Sequence, residues 1–275
     1  MIELPATRSG SAARTAAATV VLLFLALPLA VIVVTSFGAD GVGTFPPKTL
    51  STRWYGEVFA AGSDWPTAIT LSCGVAALTT VFSLILGVTA ATALTRGTLP
   101  LRSAVYGLVL APLLVPQVVV ALGLFLFFND LSMVGSPIAM ALGHTVLSAP
   151  IAVMIMVSTL RGIDSRLEDA AASLGANRAT IARRVTLPLA TPGLIAAAVF
   201  SFITSFDEFF IAQFLSTAGT RTLPVEVFNA LQYDMDPTVT AISTVLIALT
   251  ATALALVAVV RKLSGGRQKG ILPNP

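Results

Sequence analysis

Two adjacent carboxylates, Asp207 and Glu208, stand in the otherwise uncharged apolar stretch SFITSFDEFFIAQF. Ionisable groups in such surroundings are costly and usually face a cavity or a partner. Their chemistry could be attraction of an ammonium group along a path, proton coupling, or general acid–base work. Neighbouring helical residues point about 100° apart, so the two cannot both face one pore, and Asp207 is taken ahead of Glu208. At about 1.5 Å per residue Asp207 falls roughly 24 Å along its span, near the outer end, where simple solvation is the alternative. Gln117 follows Pro116 in another apolar run. It either lines a path or makes an interhelical hydrogen bond. His144, the sole histidine, has no companion ligand nearby and reads as a hydrogen-bonded helix contact rather than a metal ligand. Cys73 is the sole cysteine, so no internal disulfide and no paired-cysteine zinc pattern exists. No catalytic residue and no metal site is expected.

A second charged group runs through SRLEDAAASLGANRATIARRVTLPLATPG, residues 165–193. Ser165 is placed to cap a helix, with Glu168 at its third position as in a capping box, and Glu168 and Asp169 suit the positive end of the dipole. Ala170 and Ala171 propagate the helix, and Gly175 is a natural residue just past its end. Asn177 can cap a second helix, which Pro188 is expected to limit. The product is helix, glycine turn, helix at a water-facing membrane surface.

The elements that position these residues follow from composition. Hydrophobic residues make up 56% of 275, and charged residues only 11%. A soluble domain needs a larger polar surface, so lipid is the solvent of most of this chain. The net charge of +3 is too slight to imply nucleic acid. Six apolar runs, 16–37, 68–95, 103–128, 137–160, 191–215 and 238–260, reach the about 20 residues that cross a bilayer as helix. The fold class expected is therefore all-α, a polytopic bundle of six transmembrane helices. The first run is longer than a signal-peptide core and is read as a retained helix. Segments 1–15 and 261–275 are expected as cytoplasmic tails, and 161–190 as the one long inner loop within the 16–260 membrane domain.

Basic loops stay cytoplasmic. With the N-terminus inside, the inner segments hold thirteen Lys and Arg, and the outer ones only Lys48, Arg53 and Arg221. Both termini are therefore expected in the cytoplasm. The outer segments carry Asp40, Glu57, Asp64, Asp130, Glu226, Asp234 and Asp236, a bias that attracts cations or simply aids solubility. Pro28, Pro112, Pro116 and Pro150 lie within spans and are expected to bend them. Gly and Ala recur in the second and fifth spans, allowing close helix contact. Phe206, Phe209, Phe210 and Phe214 read as ordinary packing, with a gate or cation–ring contact as the alternative.

The hairpin resembles the EAA motif of permease subunits in binding-protein-dependent ABC importers: Glu-Ala-Ala, three residues, Gly, nine residues, then Ile-x-Leu-Pro. Here the matching positions are Asp169, Ala170, Ala171, Gly175, Val185, Leu187 and Pro188. Asp replaces Glu at 169 and Val replaces Ile at 185, and Glu168 next door offers the longer acid. The resemblance implies a type I importer bundle and a coupling helix that docks on a separate ATPase. The chain has no Gly-Lys-Ser/Thr phosphate loop, so ATP is expected to be used by that partner and no cofactor to be bound here. Implied partners are two copies of the ATPase, a second permease chain making a heterodimer, an extracytoplasmic solute-binding protein and membrane lipid, all at a bacterial cytoplasmic (inner) membrane.

Further on, SFDEFF, TLPVEVFN, Asp236-Pro237 and AIST resemble spermidine/putrescine permeases of the PotC type, implying a small cationic solute such as a polyamine. Permeases for opines and other amino-bearing solutes share these features. An ion-coupled secondary transporter, using Asp207 or Glu208, and a membrane enzyme, using both, are the rivals. The lack of a nucleophile or metal constellation stands against the enzyme.

Overall fold

The computed structural model describes residues 8–39, 44–234 and 236–265. Residues 1–7, Asp40, Asp234 as a side chain and the basic tail beyond Gly265 lie outside the described residues. The elements are helices α1 (Arg8–Thr35), α2 (Arg53–Val58), α3 (Trp65–Arg96), α4 (Arg102–Leu110), α5 (Gln117–Asp130), α6 (Pro137–Arg161), α7 (Arg166–Ser173), α8 (Arg178–Ile181), α9 (Leu187–Phe206), α10 (Phe210–Leu215), α11 (Leu223–Asn229) and α12 (Thr238–Gly265). α1 begins inside the segment expected as a tail, and α12 runs past residue 260 into the other.

α1, α3, α6 and the run from Arg178 to Phe206 are each long and apolar enough to cross a membrane. α4 and α5 pass the same test together, and α12 is apolar through its described part, Thr238–Thr252. Two of the six expected spans are not straight. The run at 103–128 bends by 96° between α4, with its 3₁₀ extension Ala111–Leu114, and α5. The cause is Pro112 and Pro116: neither has an N–H for the helix ladder, and Val115 before Pro116 is extended at ψ 137°. The run at 191–215 breaks at Asp207–Phe209, leaving α10 as a separate short helix.

The chain divides into two compact units. In the first, residues 1–63 and 229–275, α12 packs on α1 and α2. The α1 side chains from Arg14 to Ala30 are exposed, as expected for an apolar helix whose solvent is lipid. Trp54 Nε1 donates to Gly38 O at 2.8 Å, and Ser36 Oγ lies 2.6 Å from Tyr55 Oη, fixing α2 at the end of α1.

In the second unit, residues 64–228, α3, α6 and α9 pack on one another and α5 packs on α10. α6 is central. One apolar cluster gathers Val75, Phe128, Met140, Leu147, Ile211 and Leu215, and another gathers Leu94, Val153, Met156, Val157, Leu160 and Ala197. Small residues set the spacing. A Cβ on Gly87 would lie 2.9 Å from that of Ala152, and one on Gly193 would overlap the Thr159 side chain. These are the close approaches of α3 and α9 to α6 that the Gly and Ala content implied. The phenylalanines pack with other rings: Phe206 stacks on Phe202, Phe209 meets Phe210 and Phe228, and Phe214 meets Phe125.

Candidate functional site

The hairpin forms, but the cap at the start of α7 differs from the expected one. Ser165 makes no capping bond through its side chain; Asp164 Oδ1 instead accepts from the Arg166 N–H at 3.0 Å. Glu168 does not reach back to Ser165, because a stronger partner claims it. Its Oε2 lies 3.1 Å from Arg96 Nε at the end of α3, and its Oε1 accepts from Thr186 Oγ1 at 2.9 Å. The Arg96 guanidinium also donates to the carbonyls of Leu160, in the last turn of α6, and of Ile163, just past it, at 3.1 and 3.0 Å. One arginine thus ties α3, α6 and the hairpin together.

Gly175 closes α7 as a Schellman turn. Its φ is +86°, its N–H donates to Ala172 O, and the Ala176 N–H donates to Ala171 O. Asn177 caps α8 through Oδ1, which accepts from the Thr180 N–H at 2.9 Å. Pro188 does not stop the chain there. The backbone widens into a π turn over Ala182–Thr186, with Leu187 N–H donating to Ala182 O, and continues as α9. The wider turn accommodates a proline that has no N–H to offer Arg184.

No side chain of α7 or α8 is buried. Asp169, Ala170, Gly175, Leu187 and Pro188 are exposed, while Ala171 and Val185 are half-buried. Leu167 and Leu174 are 49% and 89% exposed, large apolar groups left uncovered on the hairpin. Uncovered leucines beside an acid and a glycine turn make a surface suited to a protein partner. Sequence reasoning missed Leu167, Leu174, Arg96 and Thr186. The signal for Arg96 was present, a lone cation closing a long apolar run. Nothing in the spacing marked its partner.

The two adjacent acids separate. Asp207 ends α9 and is exposed. Glu208 turns inward, with its side chain 4% exposed. Its Oε1 and Oε2 accept from the N–H groups of Ile211 and Ala212, each at 3.0 Å, so it caps α10. Oε2 also lies 3.3 Å from His144 Nε2. His144 Nδ1 is 2.8 Å from Ser205 Oγ, which donates to Thr79 Oγ1 at 3.1 Å, and Thr79 donates to Ala141 O. A buried polar chain therefore joins α3, α6, α9 and α10. Gln117 is exposed at the first turn of α5, beside the bend. Among the described residues, no three His, Cys, Asp or Glu gather as metal ligands.

Known proteins resemble this chain over most of its length. Residues 83–265 match the family model described as "Binding-protein-dependent transport system inner membrane component". The spermidine/putrescine transport system permease protein PotC of Haemophilus influenzae is 30% identical over 86% of this chain and 91% of that one. The putrescine permease PotI of Escherichia coli is 31% identical over 82% of each. The sulfoquinovosyl glycerol permease SmoH of Agrobacterium fabrum is 32% identical over 80% of this chain and 79% of that one. Among solved structures, a chain of a bacterial ABC transporter for import of alginate superimposes with a TM-score of 0.72 at 19% identity, over 95% of this chain and 99% of that one. A chain of the inward-facing MetNI methionine transporter gives 0.53 at 20% identity, over 68% and 91%. With an all-helical membrane fold, an exposed hairpin matching the EAA spacing and a family match over most of its length, this chain belongs to the inner-membrane components of binding-protein-dependent transport systems, as a permease subunit of an ABC importer.

Proposed function

We propose that this permease subunit carries a small amino-bearing cation, of the polyamine class, delivered by an extracytoplasmic binding protein. Two ATPase subunits drive it, and a second, different permease chain completes the path. Both termini and the 161–190 hairpin face the cytoplasm, in keeping with the thirteen-to-three distribution of basic residues. The observation that carries the reading is the hairpin, with Asp169, Leu174 and the Gly175 turn exposed and anchored at its base by Arg96. ATP binds only to the partner; closure of the two ATPases moves the hairpins, and the bundle alternates between outward and inward access. Such a two-state device works only if ATP and the loaded binding protein favour different states.

The polyamine reading rests on the names of the PotC and PotI relatives and on Asp207, an exposed acid at the end of α9 that can attract an ammonium group. Gln117, at the bend before α5, is the second path residue. Glu208 has both oxygens occupied within the fold, so its role is to hold α10.

The direct test is uptake of labelled putrescine and of a sugar glycoside into vesicles containing the assembled transporter and its binding protein. Putrescine uptake that needs ATP and all subunits is expected. Uptake by this chain without an ATPase, abolished by an uncoupler at constant ATP, would replace the reading with ion-coupled transport. Glycoside uptake alone would remove the cationic substrate and leave the ABC mechanism standing. Asp207→Asn is expected to reduce uptake of the cation several-fold with assembly intact, and unchanged uptake kinetics take Asp207 out of the path. Gly175→Val forces a β-branched residue to a φ of +86°. It is expected to separate hydrolysis from uptake or prevent ATPase docking, whereas normal coupled uptake removes the hairpin from coupling.

A further inference from the structure

Two cavities adjoin along the same three helices. The first, about 290 Å³, lies at the hairpin end of the second unit, where α3 and α6 finish and α4 begins. Three arginines line it, Arg96, Arg102 and Arg161, together with the hydroxyl-bearing side chains of Ser103 and Tyr106. Arg96 is already paired with Glu168. Arg102 donates to the carbonyl of Gly97 but, like Arg161, makes no ion pair among the described residues. Both are exposed. The cavity therefore holds uncompensated positive charge with hydroxyl donors at its wall.

The second cavity, about 700 Å³, lies between the same α3, α4 and α6 but farther along them from the hairpin end. Leu86, Leu108, Pro112, Val146 and Val153 are among its walls, and Thr89 and Thr145 carry its side-chain hydroxyls. From Arg96 back to Leu86, or from Arg102 on to Pro112, is ten residues, roughly 15 Å of helix axis. The two form a basic head compartment at the membrane surface followed by an apolar slot running inward.

We propose that this composite groove binds one anionic phospholipid, its phosphate among Arg102, Arg161 and the Ser103 and Tyr106 hydroxyls, and an acyl chain in the slot between α3, α4 and α6. Charge selects the headgroup, since a guanidinium pairs with phosphate through directed hydrogen bonds, and basic pockets between helices at a membrane's inner face suit anionic lipid. The slot selects an amphiphile over a free anion. A lipid there lies between α6 and α4, up to Pro112 at the start of the bend. The inference requires only that these helices lie in a membrane, and it stands or falls separately from the substrate.

The test uses the assembled, full-length transporter, purified and stripped of lipid, then titrated with phosphatidylglycerol or phosphatidylcholine and read by native mass spectrometry. One phosphatidylglycerol is expected to be retained in preference to phosphatidylcholine. Arg102→Gln and Arg161→Gln are each expected to lower that retention roughly fivefold without changing phosphatidylcholine adducts. Thr89→Trp, at an exposed position on the slot wall, is expected to lower retention while leaving the arginines untouched. Equal retention of the two lipids overturns the proposal. Full competition by millimolar inorganic phosphate, with no effect of Thr89→Trp, makes the site one for a small anion and also overturns it. So does a cross-link from Thr89→Cys, in a Cys73→Ser background, to a helix of the second permease, because the slot is then a subunit interface. A transporter that shows lipid selectivity yet couples to no ATPase would sustain this inference and defeat the functional one.

Discussion

Arg96→Met is expected to abolish coupled uptake, lowering it tenfold or more, while the bundle still inserts and folds. Neither α7 nor α8 buries a side chain, so polar ties fix the hairpin's position, and Arg96 supplies the one to Glu168 while its other bonds hold the carbonyls of Leu160 and Ile163 at the end of α6. Its removal leaves the Glu168 carboxylate with Thr186 alone and takes one donor from the carbonyls of Leu160 and Ile163, the first of which keeps the Ile163 N–H. The ion pair is partly exposed, at 22% and 18% for the two side chains, so solvent discounts its Coulombic part. With the hydrogen bonds, the loss is about 1–2 kcal/mol, enough to free an unburied hairpin but not to unfold a membrane bundle. Hydrolysis by the attached ATPases is expected to persist without transport, or the ATPases to dissociate. Arg96→Lys retains charge but cannot reach the carboxylate and both carbonyls through one ammonium, so it should restore only part of the uptake. Parallel assays of phosphate release and labelled-solute uptake decide it. Normal uptake by Arg96→Met would show that the hairpin needs no anchor.

Glu208→Ala is expected to cause the largest loss of stability among single polar substitutions in the second unit. The change leaves the N–H groups of Ile211 and Ala212 and the Nε2 of His144 without their oxygen partners in a buried place. Orphaning such a group of donors costs about 3 kcal/mol. α10, only six residues long, has little else to start it, although Ile211, Ala212 and Leu215 are buried and give it an apolar seat. Glu208→Gln keeps one acceptor and should cost less, about 1 kcal/mol. Asp207→Ala, one residue away but exposed, should cost little. The check is the thermal midpoint of the purified subunit complex in detergent, with modification of a cysteine placed at Phe210 reporting whether α10 has detached. If the Glu208→Ala and Asp207→Ala midpoints agree, Glu208 is not holding α10.

Much of the membrane architecture was legible because hydropathy acts over whole runs. The stretch from Trp65 to Arg96 has no competing signal, and α3 forms as expected. The bend at Pro116 was legible only as a place where a ladder bond is missing; its 96° depends on what neighbouring helices allow. Asp207 and Glu208 do face differently, but the expectation rested on one continuous helix, and the chain instead breaks there. Which of the two turns inward depended on the break of α9 and on His144, sixty-four residues earlier in the chain, and no local pattern carries that. Glu168 shows local preference losing to tertiary contact. The capping-box spacing is present, yet an ion pair with Arg96 and the Thr186 hydroxyl outweigh one bond to a backbone N–H. Gly175 and Asn177 act as read because their requirements, a positive φ and a short side-chain acceptor, are satisfied within a few residues.

The wide turn over Ala182–Thr186 has a mechanical result. Ordinary α winding through this segment would require Pro188 to supply an N–H to Arg184, which a pyrrolidine nitrogen lacks, so the surplus residue cannot be ironed out in place. Were it able to slip, each residue of slippage would spin the membrane rod by about 100° against its lever and shorten or lengthen it by about 1.5 Å. Held there, the turn keeps α8 and α9 in a fixed rotational phase, so under the proposed coupling a torque on the hairpin reaches α9 as rotation of the whole helix.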